Sequence, residues 1–189
     1  MEITPTRSAL LESRDERVVM REGYRFLDEK RLLLAAEIIR QHTRYLELHT
    51  RYLEQHARAV ALLADWIGRC GLHDVQVSPV QELTQAQITG QAQSFFGVML
   101  RDAPRLTLHD PAEKNRCAQA FTTLLAQGSE LATISGNLHR LLAEYQRTER
   151  RARALEDVIL PELDGAIHEM EIRLEEMEQE DAVRVRLQR

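Results

Sequence analysis

The apolar positions of this chain fall into two long stretches of helical periodicity, separated by a shorter stretch that alternates. In the first, steps of four and three residues visit Leu27, Arg31, Leu34, Ile38, Gln41, Tyr45, Leu48, Tyr52, Gln55, Ala59, Leu62 and Trp66. Nine of these twelve are apolar or aromatic. A heptad seam sustained that long marks a helix that packs lengthwise on another. Thr4-Pro5-Thr6 reads as a helix start, so the spacing predicts one helix from there to about Trp66. At ~1.5 Å per residue, roughly sixty residues make a rod of about 90 Å, far longer than a compact domain of this size needs.

The second stretch opens on Asp110-Pro111-Ala112-Glu113, an N-cap aspartate followed by proline at the first helical position and an acid at the third. Its seam runs through Leu131, Ile134, Leu138, Leu141, Tyr145, Thr148, Ala152, Leu155 and Ile159. Successive four-residue steps then lead through Leu163 and Ile167 before Met170, Leu174 and Met177 resume the alternation. One extra residue has entered the seam beside Pro161, and such a slip locally unwinds a supercoil. A proline in a helix interior lacks one hydrogen bond and crowds the preceding turn, at about 3 kcal/mol, so a bend or change of winding is expected there.

Between the two, residues 72–109 break the heptads: Val75-Gln76-Val77 and Leu106-Thr107-Leu108 alternate, and Phe95 to Leu100 is a short apolar run around Gly97. A small β-hairpin is the expected content. Phe95 and Phe96 read either as a small core or as a docking patch. The fold class that follows is mainly α: a long antiparallel two-helix coiled coil with a small insert at its distal end. It divides into an N-terminal long helix (1–71), the insert (72–109) and a C-terminal long helix (110–189), all one elongated domain with both termini at one end.

Inside the first helix is an internal repeat, HTRYLEL (42–48), HTRYLEQ (49–55) and HARAVAL (56–62), with His42, His49 and His56 seven residues apart. Neighbours at that spacing lie about 10 Å apart along the axis, whereas two metal ligands on one helix need a spacing of three or four. These histidines are therefore flanking positions. Leu46, Leu53, Val60, Leu63 and Ile67 form a second apolar row on their far side, making the apolar face wider than a two-helix seam requires. A third element or a partner subunit is expected to pack there.

Composition narrows the function. Among 189 residues there are only 8 glycines and 5 prolines, as suits long helices. The net charge of −5 excludes a general nucleic-acid footprint. No apolar run is long enough to enter a bilayer, so no direct membrane insertion is expected. Cys70 and Cys117, without metal-type spacing, suit a reducing cytoplasm. The lysines, Lys30 and Lys114, do not follow glycine, which excludes a phosphate loop of the GxxxxGK[ST] kind. No histidine lies three residues after a glutamate, so the di-iron bundle motif is missing too. The chain is expected to have no catalytic, cofactor-binding or metal-ligating residues and not to be an enzyme on its own. The acidic run near the end, Glu169 to Asp181, reads as a solvated face.

Thr148 to Glu156, then Val158-Ile159-Leu160-Pro161-Glu162-Leu163, Ile167 and Ile172 to Glu176, resemble the C-terminal signature of the D subunit of the V-type (A/V-type) rotary ATPases and ATP synthases. Pro5-Thr6-Arg7, Leu10-Leu11, Gly23 and Asp28 to Arg31 are similar to that family's opening helix, and Phe96-Gly97-Val98 to its hairpin. The resemblance implies a central-stalk rotor shaft on the cytoplasmic side of the membrane, peripheral within a membrane-bound complex. It implies three kinds of partner: catalytic head subunits, a second small stalk subunit, and the cap subunit of the membrane ring. Rotation would link ATP hydrolysis or synthesis to proton or sodium transport. On this reading Arg147, Arg150, Arg151, Arg153 and Pro161 meet the catalytic head, and Leu46, Leu53, Val60, Leu63, Phe95 and Phe96 meet the other stalk subunits. The competing reading is a free-standing coiled-coil scaffold, which would use the same heptads.

Overall fold

A computed structural model describes residues 6–73, 87–107 and 116–187. Helix α1 spans Arg7–Cys70, 64 residues without a break. Thr6 caps it: its hydroxyl oxygen accepts the Ala9 N–H at 3.1 Å, and its carbonyl accepts the Leu10 N–H at 3.0 Å. Gly71 ends it in the left-handed region (φ +83°), where its N–H reaches the Ile67 carbonyl at 2.9 Å. A side chain there would be strained, which is why glycine stands at this helix end. Helix α2 (Arg116–Ala154) leads through a five-residue π-helical turn (Leu155–Ile159) into α3 (Leu160–Leu187). The Asp110–Glu113 cap and the Val75–Val77 alternation lie outside the described residues.

The fold is mainly α, with long helices paired antiparallel and a small antiparallel β insert. Two compact units divide it, one combining the chain up to Leu33 with the chain from Tyr145 onward, the other running from Leu34 to Glu144. In the first unit, Arg7, Arg14 and Arg17 of α1 pair with Glu178, Glu171 and Asp164 of α3 at 2.6, 2.7 and 3.1 Å. Partner numbers fall as α1 advances, which is the antiparallel register. Two members of the acidic run, Glu171 and Glu178, thus pair across to α1, and Glu169, Glu180 and Asp181 pair with arginines of their own helix. Exposed pairs of this kind contribute about 0–1 kcal/mol each, so they set register more than stability. Thr148, Ala152, Ile167 and Met170 are the buried residues among those described in this unit.

In the second unit, Ala59, Ala120 and Leu124 form a buried cluster with Tyr52 and Leu62 packed against it. Arg44 pairs with Glu130 at 2.6 Å, again antiparallel. Gly128 brings α2 close to α1, since a β-carbon there would sit 3.4 Å from the Tyr52 ring. Leu34, Ile134, Leu141 and the polar Glu37 and Asn137 are also buried.

All twelve seam residues of α1 are buried or half-buried. The return seam behaves likewise from Leu131 to Leu155 and again at Leu163, Ile167, Met170 and Leu174, but Ile159 and Met177 are exposed. Ile159 corrects the expected path. The extra residue enters inside the π turn, where the Leu160 N–H bonds the Leu155 carbonyl five residues back, and the seam passes from Leu155 to Leu160. Dihedrals are helical on both sides of the turn, so the winding changes without the helix stopping. The ring of Pro161 would meet the carbonyl of Asp157 in regular α winding; the wider turn lies across that carbonyl.

The insert holds strands β1 (Gln87–Thr89), β2 (Ala92–Phe95), β3 (Val98–Arg101) and β4 (Arg105–Thr107). β2 pairs with β3 from Phe95↔Val98 to Ala92↔Arg101, and β1 pairs with β4 from Thr89↔Arg105 to Gln87↔Thr107. The second arm carries one residue more between its strands than the first, which is the signature of a bulge, and Pro104, lacking an N–H, sits in it.

Candidate functional site

The described residues contain no group of three His, Cys, Asp or Glu side chains that could hold a metal ion. His49 stacks on Tyr45 and His56 on Tyr52, with ring centroids 5.8 and 6.3 Å apart. Each imidazole thus lies on the tyrosine one turn earlier in its own helix. Cys70 and Cys117 form no disulfide and line one cleft of about 590 Å³ with Trp66, Arg69 and Arg116. Burial pushes the Cys117 thiol above its ordinary pKa, which keeps it protonated and weakly nucleophilic. The candidate site is therefore a set of surfaces.

The first surface is basic. Arg147, Arg150, Arg151 and Arg153, in the last two turns of α2, are all exposed, as is Pro161 beyond the π turn. Helical spacing puts Arg147, Arg150 and Arg151 on one side and the buried Thr148 and Ala152 on another. Arg153 points along a third side, where its guanidinium pairs with Glu149 at 2.7 Å. Arg150 and Arg151 make no ion pair among the described residues, which leaves two guanidinium groups available to carboxylates of another molecule. The neighbouring π turn is held by α1: Gly23 lies against Leu155, and the Tyr24 hydroxyl donates to the Glu156 carboxylate. That hydrogen bond raises the tyrosine pKa, because an ionised phenol could not make it.

The second surface is apolar. Leu46, Leu53 and Val60 are exposed and Leu63 is half-buried. Among the described residues, no element covers the first three. Ile39 extends the row by one heptad at the same seven-residue spacing and is more exposed than any of them. Sequence reasoning missed Ile39 because it began the row at the histidine repeat, although the spacing itself carries the signal.

The third surface is the hairpin tip. Phe95 and Phe96 stand edge-to-face with centroids 5.1 Å apart, yet their roles differ. Phe95 is half-buried on the same sheet face as Val98 and Leu100, whereas Phe96 is exposed in the two-residue loop. Asn137, buried on α2, ties this hairpin to the helix. It accepts the Arg101 N–H at 2.9 Å, donates to the Arg101 carbonyl at 2.8 Å, and accepts from Arg140 at 2.6 Å. Nothing local in the sequence pairs position 137 with position 101; the only hint is a polar residue between Ile134 and Leu138 on the seam side.

Comparison with known proteins gives a consistent result. The family described as the D subunit of ATP synthase matches residues 9–188. The A-type ATP synthase D subunit of Methanopyrus kandleri is 26% identical over 200 residues, covering 98% of this chain and 84% of that one. The corresponding protein of Methanoregula boonei is 27% identical over 197 residues, covering 98% and 94%. The V-type ATP synthase D subunit numbered 2 of Treponema pallidum is 29% identical over 187 residues, covering 94% and 90%.

Proposed function

Because this chain belongs to the family of ATP synthase D subunits, we propose that it is the non-catalytic shaft of an A/V-type rotary ATP synthase. It would carry rotation between a catalytic head and an ion-conducting membrane ring. The observation that carries this reading is the family match over residues 9–188, nearly the whole chain. A shaft needs stiffness and asymmetry, and the molecule has features that suit both. Helices packed along a continuous seam resist bending more than one helix alone, since bending them must also displace packed side chains. The π turn gives one arm a winding that α1 lacks.

In this role Arg147, Arg150, Arg151 and Arg153 meet acidic groups of the catalytic head, with Pro161 in the same region. Leu46, Leu53, Val60 and Leu63 meet a second small stalk subunit, and the hairpin with Phe95 and Phe96 meets the stalk or the cap of the membrane ring. No helix among the described residues is long and apolar enough to cross a membrane, so attachment to the membrane runs through those partners. The direct test is Arg150→Glu with Arg151→Glu in the reconstituted complex. Both side chains are exposed and neither is ion-paired among the described residues, so the fold should change by less than about 0.5 kcal/mol. ATP-driven ion transport should fall while the chain stays assembled. Full transport by the doubly reversed variant refutes the head assignment. A wild-type chain that purifies as a lone dimer, away from any ATPase head, supports a scaffold instead.

A further inference from the structure

Where the insert lies against α2, a cavity of about 560 Å³ opens between the links of the two β arms and one face of the helix. Sites for small molecules have volumes of that order. The helix wall is built from small residues: Ala132 and Gly136 stand one turn apart on the same face. The insert wall includes Ala92 and Pro104. Glycine is an unfavourable choice inside a 39-residue helix. At position 136 it leaves the helix surface bare beside the Arg140 guanidinium, whose nitrogens lie 3.7 Å from where a β-carbon would be. Two arginines line the cavity, Arg101 from the insert and Arg140 from α2. Arg140 donates from Nη2 to the Asn137 Oδ1 at 2.6 Å, while its Nε is buried without a hydrogen-bond partner. Such a donor is destabilising until an acceptor reaches it. Asn137 holds Arg101 by its backbone N–H and carbonyl, and the Arg101 guanidinium makes no ion pair or hydrogen bond among the described residues. The Ser129 and Thr133 hydroxyls of the same wall donate to the Ala126 and Ser129 carbonyls at 2.7 and 2.8 Å. The charged donors, not the hydroxyls, are therefore left for a ligand.

We propose that this cavity is a binding site for a small organic carboxylate. Arg101 and Arg140 receive the carboxylate group, and the wall of Ala92, Ala132 and Pro104 receives the apolar body. Guanidinium groups match a carboxylate with paired N–H donors, and two of them on separate elements fix its position. Asp102, which also lines the cavity, sets the charge of the ligand. Two guanidinium charges against one carboxylate leave a single positive charge, which suits a monoanion better than a phosphate dianion. The chain as a whole carries a net charge of −5, so this excess is local to the cavity. The site also bridges two elements that Asn137 already joins, since its Oδ1 accepts from both the Arg101 N–H and Arg140. A carboxylate spanning the two arginines closes a second link between hairpin and helix, so occupancy stiffens the insert on α2. Nothing in this site depends on the shaft reading; a scaffold with the same fold would carry it too.

The test titrates the full chain with benzoate, and separately with benzamide and phenyl phosphate, following backbone amide shifts by NMR. Benzoate should bind saturably and move the amides of Gly90, Arg101, Ala132 and Gly136. Benzamide has the same shape without the charge and should bind about ten-fold more weakly or worse. Phenyl phosphate should also bind more weakly than benzoate. With benzoate at about ten times its dissociation constant, hydrogen exchange of the Arg101 amide should slow about ten-fold, because opening that edge from Asn137 destroys the site. Arg101→Gln and Arg140→Gln should each weaken benzoate by about ten-fold or more. Arg101→Gln keeps both backbone bonds to Asn137, so its thermal midpoint should match the wild type and its lost binding is not lost folding. Ala132→Leu, which fills the cavity from an exposed position, should abolish binding. The absence of a saturable shift at millimolar benzoate overturns the proposal. So does equal binding of benzamide, or benzoate binding that survives Arg101→Gln and Arg140→Gln together. Tighter binding of phenyl phosphate overturns the assignment to a monoanion, and the proposed ligand class with it.

Discussion

Replacing Pro161 by alanine separates two explanations of the π turn. If proline alone causes it, alanine should restore regular α winding from Leu155 onward. That winding returns Ile159 to the seam and turns everything downstream by about 100° per residue removed. Ile167 and Met170, now 3% and 6% exposed, would rotate out of their contacts. Each contributes about 1.5–3 kcal/mol by burial, so the rotation costs about 3–6 kcal/mol before the half-buried Leu163 and Leu174 are considered. Against that, regular winding regains about one hydrogen bond, worth ~1 kcal/mol. Packing wins, and the π turn should persist in Pro161→Ala. The assay uses single cysteines at 159 or 160, with Cys70 and Cys117 replaced by serine, and measures thiol labelling rates. Ile159→Cys should react faster than Leu160→Cys whether residue 161 is proline or alanine. A reversed order in the alanine background refutes the reasoning. Deleting Val158 should be tolerated together with Pro161→Ala, because the seam stays in phase, but should cost about 3 kcal/mol with Pro161 retained.

Leu53→Asp should leave the isolated chain as helical and as stable as the wild type, because the side chain is already exposed. It should weaken association with the second stalk subunit by about ten-fold or more, and unchanged co-purification would remove that row from the interface. Glu37 gives a pH signature: its carboxylate receives Arg40 at 2.7 and 2.8 Å and Gln41 at 2.8 Å. The Arg40 hydrogen bond, acting against burial, holds its pKa below the usual 4.5. Its stabilisation is therefore present above about pH 4.5 and lost as pH falls through the lower folded value. The difference in thermal midpoint between wild type and Glu37→Gln should narrow from about pH 7 to pH 3, and a pH-independent difference would show that the ionised form contributes nothing.

The seam was readable because burial along a helix leaves a period in the chain, and a period survives without coordinates. Leu34, Leu48 and Ala59 announce themselves in this way, and the added residue near Pro161 shows as a phase error. Its location within Leu155–Ile159 was not readable, because Ile159 and Leu160 are both apolar and either could continue the count. Only packing sends Ile159 outward. The change of winding expected beside Pro161 is the π turn at Leu155–Ile159, and the packing downstream of it argues that the seam, as well as the proline, favours it. The basic side of α2 could be seen as a cluster, but that Arg153 is engaged by Glu149 while Arg150 and Arg151 have no ion pair among the described residues depends on side-chain geometry. Asn137 and Arg101 lie 36 residues apart and join a helix to a strand edge, so no periodicity links them.

The division into two units also has a consequence for the order of folding. The unit from Leu34 to Glu144 is continuous in sequence, whereas the other joins the beginning of the chain to its end. Closing the discontinuous unit first would require ordering across roughly a hundred intervening residues, an entropic cost that falls once the middle has folded. During synthesis its second half does not exist until Tyr145 and the residues after it have emerged. The hairpin and its flanking helices can therefore pair first, and the contacts of Arg7, Arg14 and Arg17 with α3 close last. The basic side of α2 and the π turn belong to the late-forming unit, so the surface proposed to meet a catalytic head is completed only after Tyr145 and the residues beyond it have emerged.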